Sequence, residues 1–243
     1  MEPNTTIKIM PEGHWYESPK NKGVFYPSVT AVNIMPKDKY FEKYLADLGS
    51  YEESQSILNE AGKRGTRVHE ATEALERGET LDYTTSDLRD DEWELVLSFI
   101  KWHKEFSPTV VNTVNNSGIE LKLISDKLKL GGTADRVYMI NGKRVLFDIK
   151  TSKSKIFNYH WTQVAAYAHM YEEIYKQKID CTAILRLTNR TKKGYEYVVH
   201  EDEEWRKVDL PQFKRNYETY KYINGEKTWH PEIKEIPRYA SIK

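Results

Sequence analysis

The stretch "GGTADRVYMINGKRVLFDIKTSK", residues 131 to 153, sets two carboxylates, Asp135 and Asp148, and one ammonium, Lys150, inside apolar runs that read as β-strands. Strand interiors are poor places for isolated charge, because burying an unpaired carboxylate is costly or forces it to take up a proton. The middle of the stretch supplies geometry. Asn141-Gly142 is the strongest short signal for a two-residue hairpin turn, and such a turn opposes residues whose numbers add to 283. Asp135 and Asp148 meet that condition, so they stand face to face with Cβ atoms roughly 5 Å apart. Lys150 projects from the same face as Asp148, whereas Val145, Phe147 and Ile149 project from the other.

Like charges directly opposite one another destabilise a sheet unless something positive sits between them. Three resolutions are open: a shared proton, a basic side chain as structural counter-ion, or a divalent metal ion. A lone strand aspartate is more often a satisfied edge residue than a ligand. Two carboxylates with one ammonium, however, leave a net negative site that suits a hard cation such as Mg²⁺ or Mn²⁺. Upstream, in "RGTRVHEATE" (64 to 73), His69 and Glu73 share a helical face with Thr66 one turn earlier, and they join the aspartates if the helix packs beside the hairpin. Glu120, in the preceding strand, is a further candidate whose direction depends on a register that the sequence leaves open.

The 243 residues suit one domain with a core at about 60–190, an N-terminal helical region at about 25–60 and a C-terminal helical extension at about 201–243. No apolar run approaches the roughly 18 residues needed to cross a bilayer, and the opening residues lack a secretory pattern. A cytoplasmic protein without membrane contact is expected. Cys181 is the only cysteine, which excludes intrachain disulfides, tetracysteine zinc sites and cysteine-ligated iron-sulfur clusters by counting and reads as a buried apolar thiol. The absence of GxxxxGK[ST] excludes a phosphate-loop nucleotide site. Acidic and basic residues balance at 37 each, so net charge announces no nucleic-acid partner. Their distribution is uneven: 150 to 193 is predominantly basic, and 82 to 94 strongly acidic.

Periodicity predicts a helix over 38–49 ending at Gly49, a second from Tyr51 to Glu76 interrupted near Gly62 and Gly65, and a third from Ser86, as cap, to Phe106. The pattern then alternates. Strands are expected at 119–125, 127–140, 143–150, 182–188 and 195–200, with a helix over 158–176 and a C-terminal helix broken near Pro211.

These features together resemble the PD-(D/E)XK nuclease superfamily, in particular the branch with the RecB nuclease domain and lambda-type exonucleases. The motifs are "GGTAD" ending in Asp135, "DIK" from Asp148 to Lys150, "QVAAY" with Gln163 and Tyr167, "GTRVH" with His69, and an early "YPSVT" (26 to 30). Ala134 stands where the superfamily's eponymous proline would be; proline is not a ligand. The resemblance spans roughly residues 25 to 190 and implies an α/β, restriction-endonuclease-like αβββαβ core on a mixed sheet, with additional N- and C-terminal helices.

It also implies a metal-dependent DNA exonuclease of recombination, repair or phage replication, in a bacterial or phage-infected cell. Asp135, Asp148, the Ile149 carbonyl and His69 would hold Mg²⁺ or Mn²⁺, with Glu73 and Glu120 behind them. Lys150 would position the attacking water, Gln163 would hold that lysine or a phosphate oxygen, and Tyr167 would orient substrate or pack its helix. Lys63, Arg64, Arg67, Thr151, Ser152, Lys153 and Lys155 are candidates for contact with single- or double-stranded DNA. Recombination or replication proteins are candidate partners. An endonuclease on the same fold, and a non-catalytic nucleic-acid-binding protein, are the competing readings.

Overall fold

A computed structural model describes residues 7–10, 13–33, 43–44, 47–113, 116–152, 154–226 and 228. The helix expected over 38–49 lies mostly outside these residues. The chain opens with three short antiparallel strands, β1 (Ile7–Met10), β2 (Gly13–Glu17) and β3 (Phe25–Pro27), and a single turn of helix, α1 (Val29–Val32). Two long helices follow, α2 (Tyr51–Glu76) and α3 (Asp90–Phe106). The main sheet comprises β4 (Thr109–Val110), β5 (Ile119–Ser125), β6 (Leu130–Ile140), β7 (Lys143–Lys150), β8 (Cys181–Leu187) and β9 (Tyr195–Glu201), with α4 (Asn158–Tyr175) crossing between β7 and β8. A short helix α5 (Asp202–Glu204), a π-helical turn (Trp205–Asp209) and α6 (Leu210–Asn224) complete the order.

This is a mixed α/β architecture with the expected αβββαβ succession. β4 and β5 both pair with one edge of β6, and the sheet continues through β7, β8 and β9. Among the described strand pairs of this sheet, β7 and β8 run parallel and the others antiparallel. Alternation along β7 sends Val145, Phe147 and Ile149 into a core with Val68 of α2 and Leu95, Phe99 and Trp102 of α3. Leu146 points the other way, into a core with Trp161, Val164 and Tyr171 of α4 and Trp205 and Phe213 from the C-terminal helices. The sheet is therefore covered on both faces.

Two glycines explain how the N-terminal strands and α4 reach β6. A Cβ on Gly131 would lie 2.3 Å from the Tyr16 side chain, and one on Gly132 would lie 2.3 Å from the Tyr167 ring. The "GG" of the motif is thus the seat of two tyrosines, one from β2 and one from α4. Tyr16 continues the contact with a hydroxyl 3.2 Å from Thr133 Oγ1.

Four local expectations need correction. α2 runs unbroken through Gly62 and Gly65, since a glycine costs a helix only about 1 kcal/mol and Arg64, between the two, is tied to the Thr151 carbonyl. α3 begins at Asp90 rather than after Ser86: the Asp82 side chain takes the Thr84 N–H at 2.8 Å, and Ser86 Oγ donates to the Tyr83 carbonyl, holding the segment as a turn. β6 begins at Leu130 rather than at 127, because residues 126–129 form a four-residue turn after β5. Pro211 does not break the C-terminal helix, because the wider π-turn before it accommodates a residue that lacks an N–H. Among the described residues no helix is long and apolar enough to cross a membrane.

Gly132→Ala is expected to destabilise the protein by about 1–3 kcal/mol in urea unfolding, because the Tyr167 ring has no room to retreat. Tyr167→Ala in the same chain should remove most of that penalty. Equal cost in both backgrounds would show that the ring is not the obstacle.

Candidate metal centre

The register of three strands aligns three carboxylates. In the β6–β7 hairpin the pairs from Ile140↔Lys143 to Arg136↔Phe147 keep the expected relation, and regular pairing ends one position short of Asp135 and Asp148. On the other side, Ile119↔Arg136 and Leu121↔Ala134 bracket Glu120 against Asp135. Glu120 has φ +47°, a left-handed conformation that costs a non-glycine residue roughly 1–2 kcal/mol. Side-chain alternation also slips here: Ala134 and Val137, three apart, reach the same core. The acids sit where regular strand pairing and alternation are interrupted.

His69 on α2 completes the group. Its Nε2 lies 3.0 Å from the Ile149 carbonyl oxygen, which leaves Nδ1 facing the acids, 3.8 Å from both Glu120 Oε1 and Asp135 Oδ2. Among the described residues, His69, Glu120 and Asp135 are the set whose ligand atoms all lie within 4.8 Å of one another. Burial alone would lower the His69 pKa, but the Asp135, Glu120 and Asp148 carboxylates outweigh it and push it up to about 9. Asp135 Oδ2 is itself held at 2.6 Å by the Ile149 N–H. Glu73 borders the group: its pKa is raised by burial and then by Glu120, and its carboxylate takes Arg77 at 2.8 Å.

Beside this trio lies a second, more buried set. Asp148 is 2% exposed. Its Oδ1 accepts from Gln163 Nε2 at 3.1 Å, and its Oδ2 lies 2.7 Å from Lys150 Nζ without an aligned hydrogen bond. Burial raises the Asp148 pKa to about 6, Lys150 opposing and Asp135 reinforcing the shift. For Lys150 burial acts downward, yet Asp148 and Asp135 more than offset it and the net shift is upward. Gln163 therefore holds the aspartate rather than the lysine. The buried Tyr167 packs on β6, with its hydroxyl 3.5 Å from Gln163 Nε2.

Arg136 ties these parts together and escaped the sequence reading. Its fully buried guanidinium bonds Glu76 of α2, Thr72 Oγ1 at 3.1 Å, Glu120 Oε1 at 3.2 Å and the Asp135 carbonyl at 2.7 Å. Tyr138 donates to the same Glu76. A signal existed: His69, Thr72, Glu73 and Glu76 recur at helical spacing, a polar stripe on a helix whose neighbours Val68 and Ala71 are buried.

The expected DNA-contacting residues have varied surroundings. Arg67 is committed to the buried Glu92 through bonds of 2.9 and 2.5 Å. Arg64 bonds the Thr151 carbonyl and lies 3.5 Å from Asp91, and Lys63 pairs with Glu60 at 3.2 Å. Thr151 and Ser152 are half-buried at the end of β7, Lys155 is exposed, and Lys153 lies outside the described residues. Cys181 is buried, which pushes its thiol up to about 11.

One imidazole nitrogen with carboxylate oxygens, and a buried Asp148 oxygen lacking an aligned donor, form a donor set that fits a hard divalent cation. The profile of the PD-(D/E)XK nuclease superfamily matches residues 37–235. The chain belongs to that superfamily. Both strings of the acidic hairpin fall inside the matched span. No curated protein matches the sequence. Among solved structures, the chain is similar to an alkaline exonuclease (LHK-Exo) from Laribacter hongkongensis, with 11% identity, a TM-score of 0.37, and coverage of 81% of this chain and 88% of that one. The same enzyme in complex with dAMP gives 10% identity, a TM-score of 0.33, and coverage of 82% and 88%.

The His69 shift has a consequence for stability. A histidine raised from 6.5 to about 9 contributes fully below pH 6.5 and loses its contribution as pH climbs through 9. Asp148 titrates below that window. In metal-free buffer the unfolding free energy is expected to fall by a few kcal/mol between these limits, and His69→Gln should flatten the profile. A flat profile in the unmodified protein would contradict the charge assignment.

Proposed function

We propose that the protein is a divalent-metal-dependent DNA nuclease, a single domain across residues 1–243, that hydrolyses phosphodiester bonds from strand ends. The observation that carries this reading is the convergence of His69, Glu120 and Asp135 beside the Asp148–Lys150 pair, in a chain of a nuclease superfamily.

His69 Nδ1, Glu120, Asp135 and Asp148 would hold the ion, and the imidazole favours Mn²⁺ over Mg²⁺ relative to an all-oxygen site. When bound, the metal supplies a water of lowered pKa and shields phosphate charge. The chain's own groups do the rest. Lys150 is held at the mouth of the site by Asp148, where its ammonium orients the attacking water and offsets negative charge developing on the phosphate. Gln163 fixes the Asp148 carboxylate, and so fixes the lysine indirectly. Asp135 is locked by the Ile149 N–H, so the acids need little rearrangement as substrate arrives. Digestion from an end, in recombination, repair or phage replication, follows from the likeness of "QVAAY" and "GTRVH" to the RecB and lambda-type branch.

Asp148→Ala and Lys150→Ala should each lower hydrolysis of linear DNA in Mn²⁺ by more than about 10²-fold while the circular dichroism spectrum is unchanged. Cleavage at the unmodified rate by either variant would sink the assignment. A covalently closed circle should survive; its cleavage would assign an endonuclease instead.

A further inference from the structure

The start of α4 carries an aromatic pair that the hydrolytic groups do not use. Phe157 and Tyr159 stack with ring centroids 5.5 Å apart and planes within 12°. The buried His160 meets both rings edge-on, at 4.2 Å from Tyr159 and 5.9 Å from Phe157. Their backbone is pinned as well. The Phe157 N–H donates to His160 Nδ1 at 3.2 Å, and the Tyr159 carbonyl accepts from Asn33 Nδ2 at 2.9 Å and Thr162 Oγ1 at 3.0 Å.

Despite this support, 39% of Tyr159 faces solvent. A large ring held rigid with more than a third of its surface exposed forgoes part of the gain from burying apolar surface. Its position indicates what covers it. α4 follows the end of β7, which bears Lys150, after a short loop, and one turn beyond Tyr159 on the same helix Gln163 bonds the Asp148 carboxylate that pairs with Lys150 at 2.7 Å. Lys155 Nζ lies 5.8 Å from the Phe157 ring centroid, so the platform carries its own cation. An apolar ring face flanked by two ammonium groups matches a nucleotide, which offers a flat base between phosphates.

We propose that Tyr159 and Phe157 form a stacking site for an unpaired nucleobase next to the phosphate held at Lys150, with Lys155 neutralising the adjoining phosphate. The inference rests on the nuclease reading above. Stacking tolerates any base, so this site would recognise a strand end that is single-stranded or frayed, without sequence preference.

The test uses an oligonucleotide with 2-aminopurine as its terminal base, titrated with the full chain in Ca²⁺ buffer under conditions where no product forms. The unmodified protein and Tyr159→Phe should quench the fluorophore. Tyr159→Ala should lose the quenching and bind roughly 5- to 100-fold more weakly. A second variant, Phe157→Leu, should quench less than the unmodified protein. Absence of quenching by the unmodified protein, or equal quenching by Tyr159→Ala, would overturn the proposal even if DNA is hydrolysed normally in Mn²⁺. Quenching that depends on Tyr159 supports the stacking site, and if it occurs without any Mn²⁺-dependent hydrolysis, only the nuclease reading fails.

Discussion

The turn at Asn141-Gly142 constrains everything around the site. Both residues are left-handed, with φ of +49° and +77°, the pattern of a type I′ turn, whose twist matches that of the strands it joins. Five consecutive pairs hold the register that this turn sets. A slip of one residue would turn every side chain of β7 to the opposite face. Asp148 and Lys150 would then point toward Phe99 and Trp102, and Phe147 toward Gln163. A separate register between β5 and β6, with pairs at Ile119↔Arg136 and Leu121↔Ala134, brackets Glu120 against Asp135. The site is a property of sheet pairing before it is a property of any one side chain.

A row of acids is tolerable only where positive charge reaches it. Lys150 serves Asp148, protonated His69 serves Asp135 and Glu120, and Arg136 serves Glu120 and the buried Glu76. A buried charge is costly when its partner is missing. Arg136 is accordingly a structural clamp as much as a counter-ion, since it joins α2, which bears His69, to β5 and β6, which bear Glu120 and Asp135. Of the three cations, His69 is the one that an incoming metal would have to deprotonate, so ion uptake and proton release are coupled at that imidazole.

The hairpin was legible because a two-residue turn leaves no freedom in the pairing. Glu120 was not, because the connection between β5 and β6 is a four-residue turn with Lys129 at φ +54°, and its register cannot be counted from sequence. Arg136 was hidden because alternation slips beside Asp135, so the residue after a site carboxylate ends up in the core. The glycines of α2 read as an interruption, but the anchoring of Arg64 and Arg67 outweighs a modest loss of propensity. Arg67 itself looked like a phosphate contact. Its partner, Glu92, comes from another helix, 25 residues further along the chain, and nothing local to Arg67 announces it.

On the function proposed above, Glu120, Asp135, Asp148 and His69 hold one divalent ion between α2 and strands β5, β6 and β7. Isothermal titration with Mn²⁺, repeated in buffers of different ionisation enthalpy, addresses it directly. The account predicts uptake accompanied by release of about one proton near pH 7.5, from a histidine whose pKa is about 9, and a large loss of affinity in Asp135→Asn. No detectable heat, or an affinity indifferent to that substitution, would contradict it.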